Sequence, residues 1–453
     1  MSKTLIYNAA VVTGVDDRAP FTGFVVIDGD TIASVSEGEP DAAVMAAADR
    51  IVDARGAYLM PGAIDMHVHF REPGLTHKAT IASESRAAVA GGVTSYVDMP
   101  NCVPQTVTLE ALEQKRAIAA KDSLANYSFY IGATADNLDD ILSADYSSVA
   151  GIKLFMGSST GGMLFDDERA LSRLFEAAPA LITVHAEDEA TIAAARSAIK
   201  ARYGDSDVPV SLHSELRPAE ACVKASERAV RLARRYGAHL NIAHLTTAAE
   251  LGLLEPATTP LSDKKITAEV SPHHLFWTDA DYASHGSRIK MNPAVKTAAD
   301  RAALRDALAT GLIDVIATDH APHLPADKAG DLFKAASGAP LVQFSLPVTL
   351  DLFGPVIAAR AMAANPATLL RIDRRGRIAS GCYADLVLVE RCEPHTITDS
   401  EVLSLCGWTP LDGCTTSHRV LTTWVNGRPA YDHGTLTNTP RAMPLRFNPG
   451  QCK

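Results

Sequence analysis

None of the seven cysteines forms a Cys-x-x-Cys pair, their number is odd, and a chain of 453 residues needs no covalent staples. Reduced thiols are therefore the expectation. Positive charge is not in excess either: the formal net charge of −11 leaves no basic face for nucleic acid or anionic lipid. The opening Met1-Ser2-Lys3-Thr4-Leu5-Ile6-Tyr7 lacks the charged-then-apolar order of a secretory signal. No apolar run approaches the roughly 20 residues that cross a bilayer. Missing too are the glycine-rich dinucleotide turn and the Gly-Lys-Ser/Thr ending of a phosphate-binding loop. These absences leave a cytoplasmic protein with a small-molecule partner and no nucleic acid or membrane.

What is present is a chain 47% hydrophobic, enough for one barrel-sized domain and something smaller. Both ends read as short strands. Thr4–Thr13, Phe21–Ile27, Thr31–Val35 and Arg50–Asp53 lie at the start, and Ala384–Val389 and Val420–Val425 at the finish. The Asn426-Gly427 pair is a strong hairpin signal. Two β-rich ends predict a small β-sandwich assembled from residues 1–58 and 371–453.

The middle, residues 59–370, alternates short apolar runs with Ala-rich helical stretches such as Lys78–Ala90, Leu109–Ala120, Ala219–Tyr236 and Ala298–Ala309. Eight runs qualify as strands: Ala63–His69, Thr94–Pro100, Tyr127–Ala133, Gly151–Met156, Leu181–Ala186, Leu240–Leu245, Lys265–Ser271 and Asp314–His320. Near-continuous apolar strands are buried on both faces, which predicts an α/β fold of the (β/α)8 TIM-barrel type. An open doubly wound sheet is the structural rival.

In such a barrel the chemistry sits at the carboxyl ends of the strands, and the polar residues fall there. His67 and His69, two apart in Asp65-Met66-His67-Val68-His69, point the same way from a strand and can share a metal. His185 ends another run, as do His244 and, last, Asp319-His320. Lys153 is buried mid-strand in Gly151-Ile152-Lys153-Leu154-Phe155-Met156. A charged lysine there is costly, so its amine is expected to be mostly neutral and able to take up carbon dioxide as a carbamate. That anionic ligand would bridge two zinc ions held by His67, His69, Lys153, His185, His244 and Asp319. An unmodified lysine and a mononuclear site stay open as alternatives.

His67-Val68-His69-Phe70-Arg71-Glu72-Pro73-Gly74, Asp98-Met99-Pro100-Asn101, Ile152-Lys153-Leu154-Phe155, Val184-His185-Ala186-Glu187, Ala243-His244-Leu245 and Thr318-Asp319-His320-Ala321-Pro322-His323 together resemble the dihydroorotase family of cyclic amidohydrolases over nearly the whole chain. The combination H-x-H-x-R-E-P-G, M-P-N and D-H-A-P-H carries the resemblance. The metal-type residues alone fit hydantoinases and allantoinases equally well. The resemblance implies zinc-dependent, reversible cyclisation of N-carbamoyl-L-aspartate to L-dihydroorotate in pyrimidine biosynthesis, with Asp319 as catalytic general base. It also implies that Arg71, Asn101 and His323 bind the substrate's free carboxylate, and it suggests a homodimer. A dihydropyrimidinase, hydantoinase or allantoinase is the runner-up. An inactive scaffold of the same fold is the remote third, disfavoured because the ligand set is complete.

Weaker features complete the reading. Gly157–Met163 has the composition of a lid, with Ser159 or Thr160 able to touch substrate. His273 and His274 are expected to make structural hydrogen bonds or to support the ligands. Asn292 and Ser337-Gly338 approach the ring edge in relatives. Cys102 stands where relatives carry threonine and is expected to be packing. His77, His213, His239, His285, His395, His418 and His433 have no strand-end context.

Overall fold

Seventeen strands fall into two sheets in the computed structural model, which describes residues 3–15, 17–157, 162–204, 206–437 and 442–447. The chain opens with β1 (Lys3–Val11), β2 (Phe21–Asp28), β3 (Thr31–Glu37), β4 (Arg50–Asp53) and β5 (Tyr58–Pro61). Eight strands follow, each separated from the next by helix or loop: β6 (Ala63–Val68), β7 (Val93–Asp98), β8 (Asn126–Gly132), β9 (Gly151–Phe155), β10 (Ile182–His185), β11 (Leu240–Ile242), β12 (Ile266–Val270) and β13 (Val315–Ile316). The chain then closes with β14 (Leu386–Thr396), β15 (Thr415–Val425), β16 (Arg428–Asp432) and β17 (Thr435–Leu436).

β6 to β13 pair in parallel and in sequence order, each strand beside the next. The ring is joined where Val68 bridges His320 in parallel and the His69 N–H donates to the His320 carbonyl at 2.8 Å. Every residue of these eight strands is buried, which is why their sequences read as unbroken apolar runs. The expected barrel is present, and all eight predicted strands lie within a few residues of their predicted ends. The intervening helices start on sequence cues: Thr80 and Thr297 accept from the N3 backbone in reciprocal capping boxes with Ser83 and Asp300. Gly237 and Gly311 end two helices in the left-handed conformation that favours glycine.

The two chain ends share one mixed nine-stranded sheet in the order β17-β16-β15-β14-β5-β1-β2-β3, with β4 paired to β1. It folds around its own core, which includes Ile6, Val25, Ile27, Leu59, Leu386, Leu388 and Trp424. The join between the ends is β5 against β14, Leu59 opposite Leu388. The Asn426-Gly427 turn is as expected, both residues at positive φ between Val425 and Arg428.

Cys102, Cys222, Cys392, Cys406 and Cys414 are free thiols. One expectation changes. One helical run, Ser345–Leu369, is apolar and long enough by composition to cross a membrane, against the expectation that none is. It breaks at Gly354-Pro355, where Gly354 takes φ 76°; the outer parts, Ser345–Leu350 and most of Ala358–Ala364, are buried in the protein, and the residues around the break are half-buried or exposed. Ser159 and Thr160 lie outside the described residues.

Candidate active site

Four imidazoles converge at the carboxyl ends of the strands. His67 lies on β6 and His69 just beyond it, on the same face. His185 ends β10, and His244 follows β11. Each ring turns one nitrogen towards its neighbours. His67 Nε2 and His69 Nε2 lie 3.4 and 2.9 Å from Asp319 Oδ1, and His185 Nδ1 lies 2.9 Å from His244 Nε2. The His67 and His244 ring centroids are 5.4 Å apart, which unites the two pairs. One cavity is lined by all four, with Arg71, Asn101, Lys153 and Asp319.

The outward nitrogens of three rings are held by acceptors. His67 Nδ1 bonds Glu269, His69 Nδ1 lies 2.7 Å from Asn101 Oδ1, and His185 Nε2 lies 3.1 Å from Glu187 Oε2. Glu187 is in turn paired with buried Arg217, and Glu269 accepts from Asn241 Nδ2 at 3.1 Å. Carboxylates behind imidazoles are the arrangement by which proteins fix the tautomer of metal ligands. Neither Glu269, Glu187 nor Arg217 had been given a role from sequence. A signal existed for two of them: Glu269 is an acid late in an apolar strand, and Glu187 sits two residues after His185, on its face. Nothing local marks Arg217.

Burial and neighbouring charge set the protonation states. Burial drives His69 down to about 4 although Asp319 opposes it, and burial pushes His185 and His244 down as well. All three are neutral at pH 7 and keep lone pairs. Burial raises Asp319, but His67, His69 and His244 outweigh it and hold the carboxyl well below its usual range. Lys153 is fully buried on β9, and its Nζ has no hydrogen-bond partner among the described residues. Burial lowers its amine to about 8, against the pull of Glu269 and Asp319. His244 Nδ1 is likewise unpartnered. Neutral imidazoles, an ionised carboxylate and an orphaned amine around one cavity fit a metal centre. The nitrogen and oxygen ligand atoms of His67, His69 and Asp319 lie within 4.8 Å of one another.

Backbone strain marks the same places. Arg71, His244 and Asp319 have φ of 68°, 38° and 50°, in the left-handed region that non-glycine residues enter at a cost. Asp65 supports the last of these turns, accepting from the Thr318 N–H at 3.0 Å and Thr318 Oγ1 at 2.5 Å. At the mouth, Arg71 Nε donates to the Pro322 carbonyl at 3.1 Å and Arg71 Nη2 lies 3.2 Å from His323 Nε2. Asn101 touches His69 through its oxygen, so the residue read as an amide donor also orients a metal-type ligand.

The remaining sequence candidates separate cleanly. Asn292, Ser337 and Gly338 line the cavity. His274 bonds Ser271 and the Pro293 carbonyl, while both His273 nitrogens are buried without a partner among the described residues. The Cys102 sulfur contacts Pro104 O at 3.1 Å and Thr106 Oγ1 at 3.3 Å. Buried His213 bonds the Met291 carbonyl.

A closed parallel barrel with imidazoles, a carboxylate and a buried lysine at its carboxyl end defines a barrel hydrolase of metal-dependent type. The sequence pattern described as the amidohydrolase family matches residues 58–430, and the chain belongs to that family. It is 40% identical over 404 residues to a dihydroorotase of Halobacterium salinarum, covering 86% of this chain and 91% of that one. It is 32% identical to an allantoinase of Bacillus velezensis, over 85% of this chain and 86% of that one. The structure matches an L-hydantoinase (dihydropyrimidinase) from Arthrobacter aurescens with a TM-score of 0.88 at 26% identity, over 96% of this chain and 98% of that one.

Proposed function

We propose that the protein is a dihydroorotase, opening and closing the ring between L-dihydroorotate and N-carbamoyl-L-aspartate in pyrimidine biosynthesis. The observation that carries this reading is the guanidinium at the rim of the cavity. Arg71 lines the cavity with Asn101 and lies 3.2 Å from His323, and a planar guanidinium beside an imidazole suits a substrate carboxylate. A neutral hydantoin or dihydropyrimidine ring has no group of that kind. The identity to a dihydroorotase at 40%, above the 32% to an allantoinase, supports the same choice.

His67, His69, His185, His244 and Asp319 would hold two zinc ions, with Lys153 as the bridging carbamate. The lowered amine favours that modification: at about 8 rather than 10.5, about one amine in ten is neutral at pH 7 instead of about one in three thousand. Zinc held by these residues would polarise the ring carbonyl and activate a water at neutral pH. The rest falls to side chains. Asp319 is ionised and positioned to take the proton from the attacking oxygen and return it to the leaving ring nitrogen; ring closure runs the transfer in reverse. Arg71, Asn101 and His323 bind the ring's carboxylate and fix which carbonyl faces Asp319. Ser159 and Thr160 would close over the substrate. Residues 59–370 form the catalytic domain in this reading, with 1–58 and 371–453 as the companion domain, acting as a cytoplasmic homodimer.

The test is ring opening of L-dihydroorotate against dihydrouracil, hydantoin and allantoin by zinc-loaded protein. Turnover of dihydroorotate alone supports the proposal. Preference for a ring without the carboxylate replaces it with a hydantoinase or allantoinase, the reading that the structural match and the second relative favour.

A further inference from the structure

Lys78 lies in the turn before the helix Ile81–Ala90 and reaches the barrel mouth from outside the trio just described. Its Nζ is 3.1 Å from His323 Nδ1 and 3.2 Å from Asp327 Oδ2. Asp327 is itself 3.8 Å from Nδ1, beyond hydrogen-bond reach, so the ammonium bridges acid and imidazole. We propose that Lys78 is a positioning residue that fixes the tautomer of His323, placing its proton on Nε2 so that ring and Arg71 both donate to the substrate's carboxylate. The proposal rests on the dihydroorotase reading for the identity of that carboxylate.

The argument is one of lone pairs. An ammonium has three N–H donors and no acceptor, so a lysine paired with Asp327 can meet Nδ1 only by donating to it. The imidazole is neutral: burial, followed by the charges of Arg71, Lys78 and Lys328, holds it far below its ordinary range. A neutral ring has one lone pair, for which Lys78 at Nδ1 and Arg71 at Nε2 compete, and the proposal assigns it to Nδ1, where Asp327 holds the ammonium in place. Nε2 then carries the hydrogen. That hydrogen faces Arg71 Nη2, which is also a donor, 3.2 Å away. Two donors turned towards each other can close on a single carboxylate oxygen.

The surroundings keep ring and guanidinium from escaping this opposition. Arg71 is anchored through Nε to the Pro322 carbonyl, and the His323 carbonyl accepts from Trp408 Nε1 at 2.7 Å. Gly338, at φ 132°, packs closely on the ring: a Cβ there would stand 2.8 Å from the Ala321 carbonyl oxygen and 3.0 Å from His323 Cδ2. With Lys78 removed, the proton is free to move to Nδ1. Nε2 then accepts from Arg71, and the mouth loses one donor and the free reach of the other.

The experiment uses full-length zinc-loaded protein labelled with 15N-histidine, as wild type, Lys78→Met and Lys78→Arg, with His323→Asn to assign the resonance by difference. The expected result is an Nε2–H tautomer in wild type and Lys78→Arg and an Nδ1–H tautomer in Lys78→Met. With it, KM for L-dihydroorotate should rise about 10-fold or more while kcat changes less than about 3-fold, and Lys78→Arg should restore most of the loss. An unchanged tautomer in Lys78→Met, or an unchanged KM, overturns the proposal. Should Lys78→Met fail to unfold cooperatively, Asp327→Asn removes the anchor of the ammonium by a separate route and is read in the same way. If the wild type does not turn over L-dihydroorotate, the substrate reading falls, and the nitrogen spectra still decide whether Lys78 sets the tautomer.

Discussion

The floor and the mouth of the cavity are unsatisfied in opposite senses. On the floor, neutral imidazole nitrogens and the Asp319 carboxylate crowd together, an arrangement rich in lone pairs that calls for cations. At the mouth, the Arg71 guanidinium and the Lys78 ammonium flank the two nitrogens of the His323 ring, and the positive charge they bring suits an anion. The sign of the missing charge can thus be read from the lone pairs of the one and the positive charge of the other. A substrate with a carboxylate at one end and a hydrolysable amide at the other matches both halves.

The floor is most directly broken at Asp319. Asp319→Asn keeps the shape but removes both an anionic ligand and the proton carrier, and kcat should fall about 1,000- to 10,000-fold, or about 4 to 5 kcal/mol. A steady-state assay with zinc content measured alongside checks it, and a loss under tenfold with metal retained would move the proton transfer to another residue. The mouth is broken at Arg71. Arg71→Ala should lower kcat/KM for L-dihydroorotate about 100- to 1,000-fold while zinc content stays that of wild type. If the variant instead loses its metal, floor and mouth are one unit and the contrast between them fails.

Much of this was legible in the sequence because barrel geometry is strict. Strands buried on both faces leave an unbroken apolar signature, and any polar residue within one stands out, as His67, Lys153 and His185 do. Glu269 and Glu187 obeyed the same rule, yet went unassigned because an acid two positions from a ligand announces no partner until the strands are laid side by side. Arg217 and Lys78 were beyond reach: each arrives from a helix or turn whose path is set by packing, and their partners are 30 and 245 residues away in the chain. Asn101 was legible as a functional residue, but its bond to His69 was not. The run Ser345–Leu369 was not read as one apolar element, because Gly354-Pro355 interrupts its pattern.

The metal-free protein offers a milder test of the floor through pH. Burial depresses His69 from 6.5 to about 4, so between these values the unfolded chain binds the proton and the folded chain does not. Stability contributed by the neutral ring is therefore present above about pH 6.5 and lost as pH falls towards 4. At pH 5 this one group should cost about 2 kcal/mol relative to pH 7, seen as a lower urea midpoint. Asp319 acts in the same direction over a lower window, because its depressed carboxyl loses its contribution only below the ordinary carboxylate range. His69→Asn should flatten the dependence between pH 5 and 7, and an unaltered slope would assign it to other buried histidines.

The smallest effect is expected behind the ligands, where the two carboxylates differ in what else they hold. Glu269→Gln keeps an oxygen for His67 and loses the acceptor of the Asn241 amide, so zinc affinity should fall about tenfold, at the low end for supporting residues. Glu187→Gln also strips buried Arg217 of its counter-charge, so it should cost more in folding stability than Glu269→Gln at similar metal affinity. The charge of Glu269 also raises the Lys153 amine, so Glu269→Gln should lower the amine further and leave more of it neutral. A carbamate signal in 13C-bicarbonate should then persist or grow in Glu269→Gln even as zinc binding weakens. A signal that disappears together with the metal would mean that the ion, rather than the buried amine, decides whether the carbamate forms.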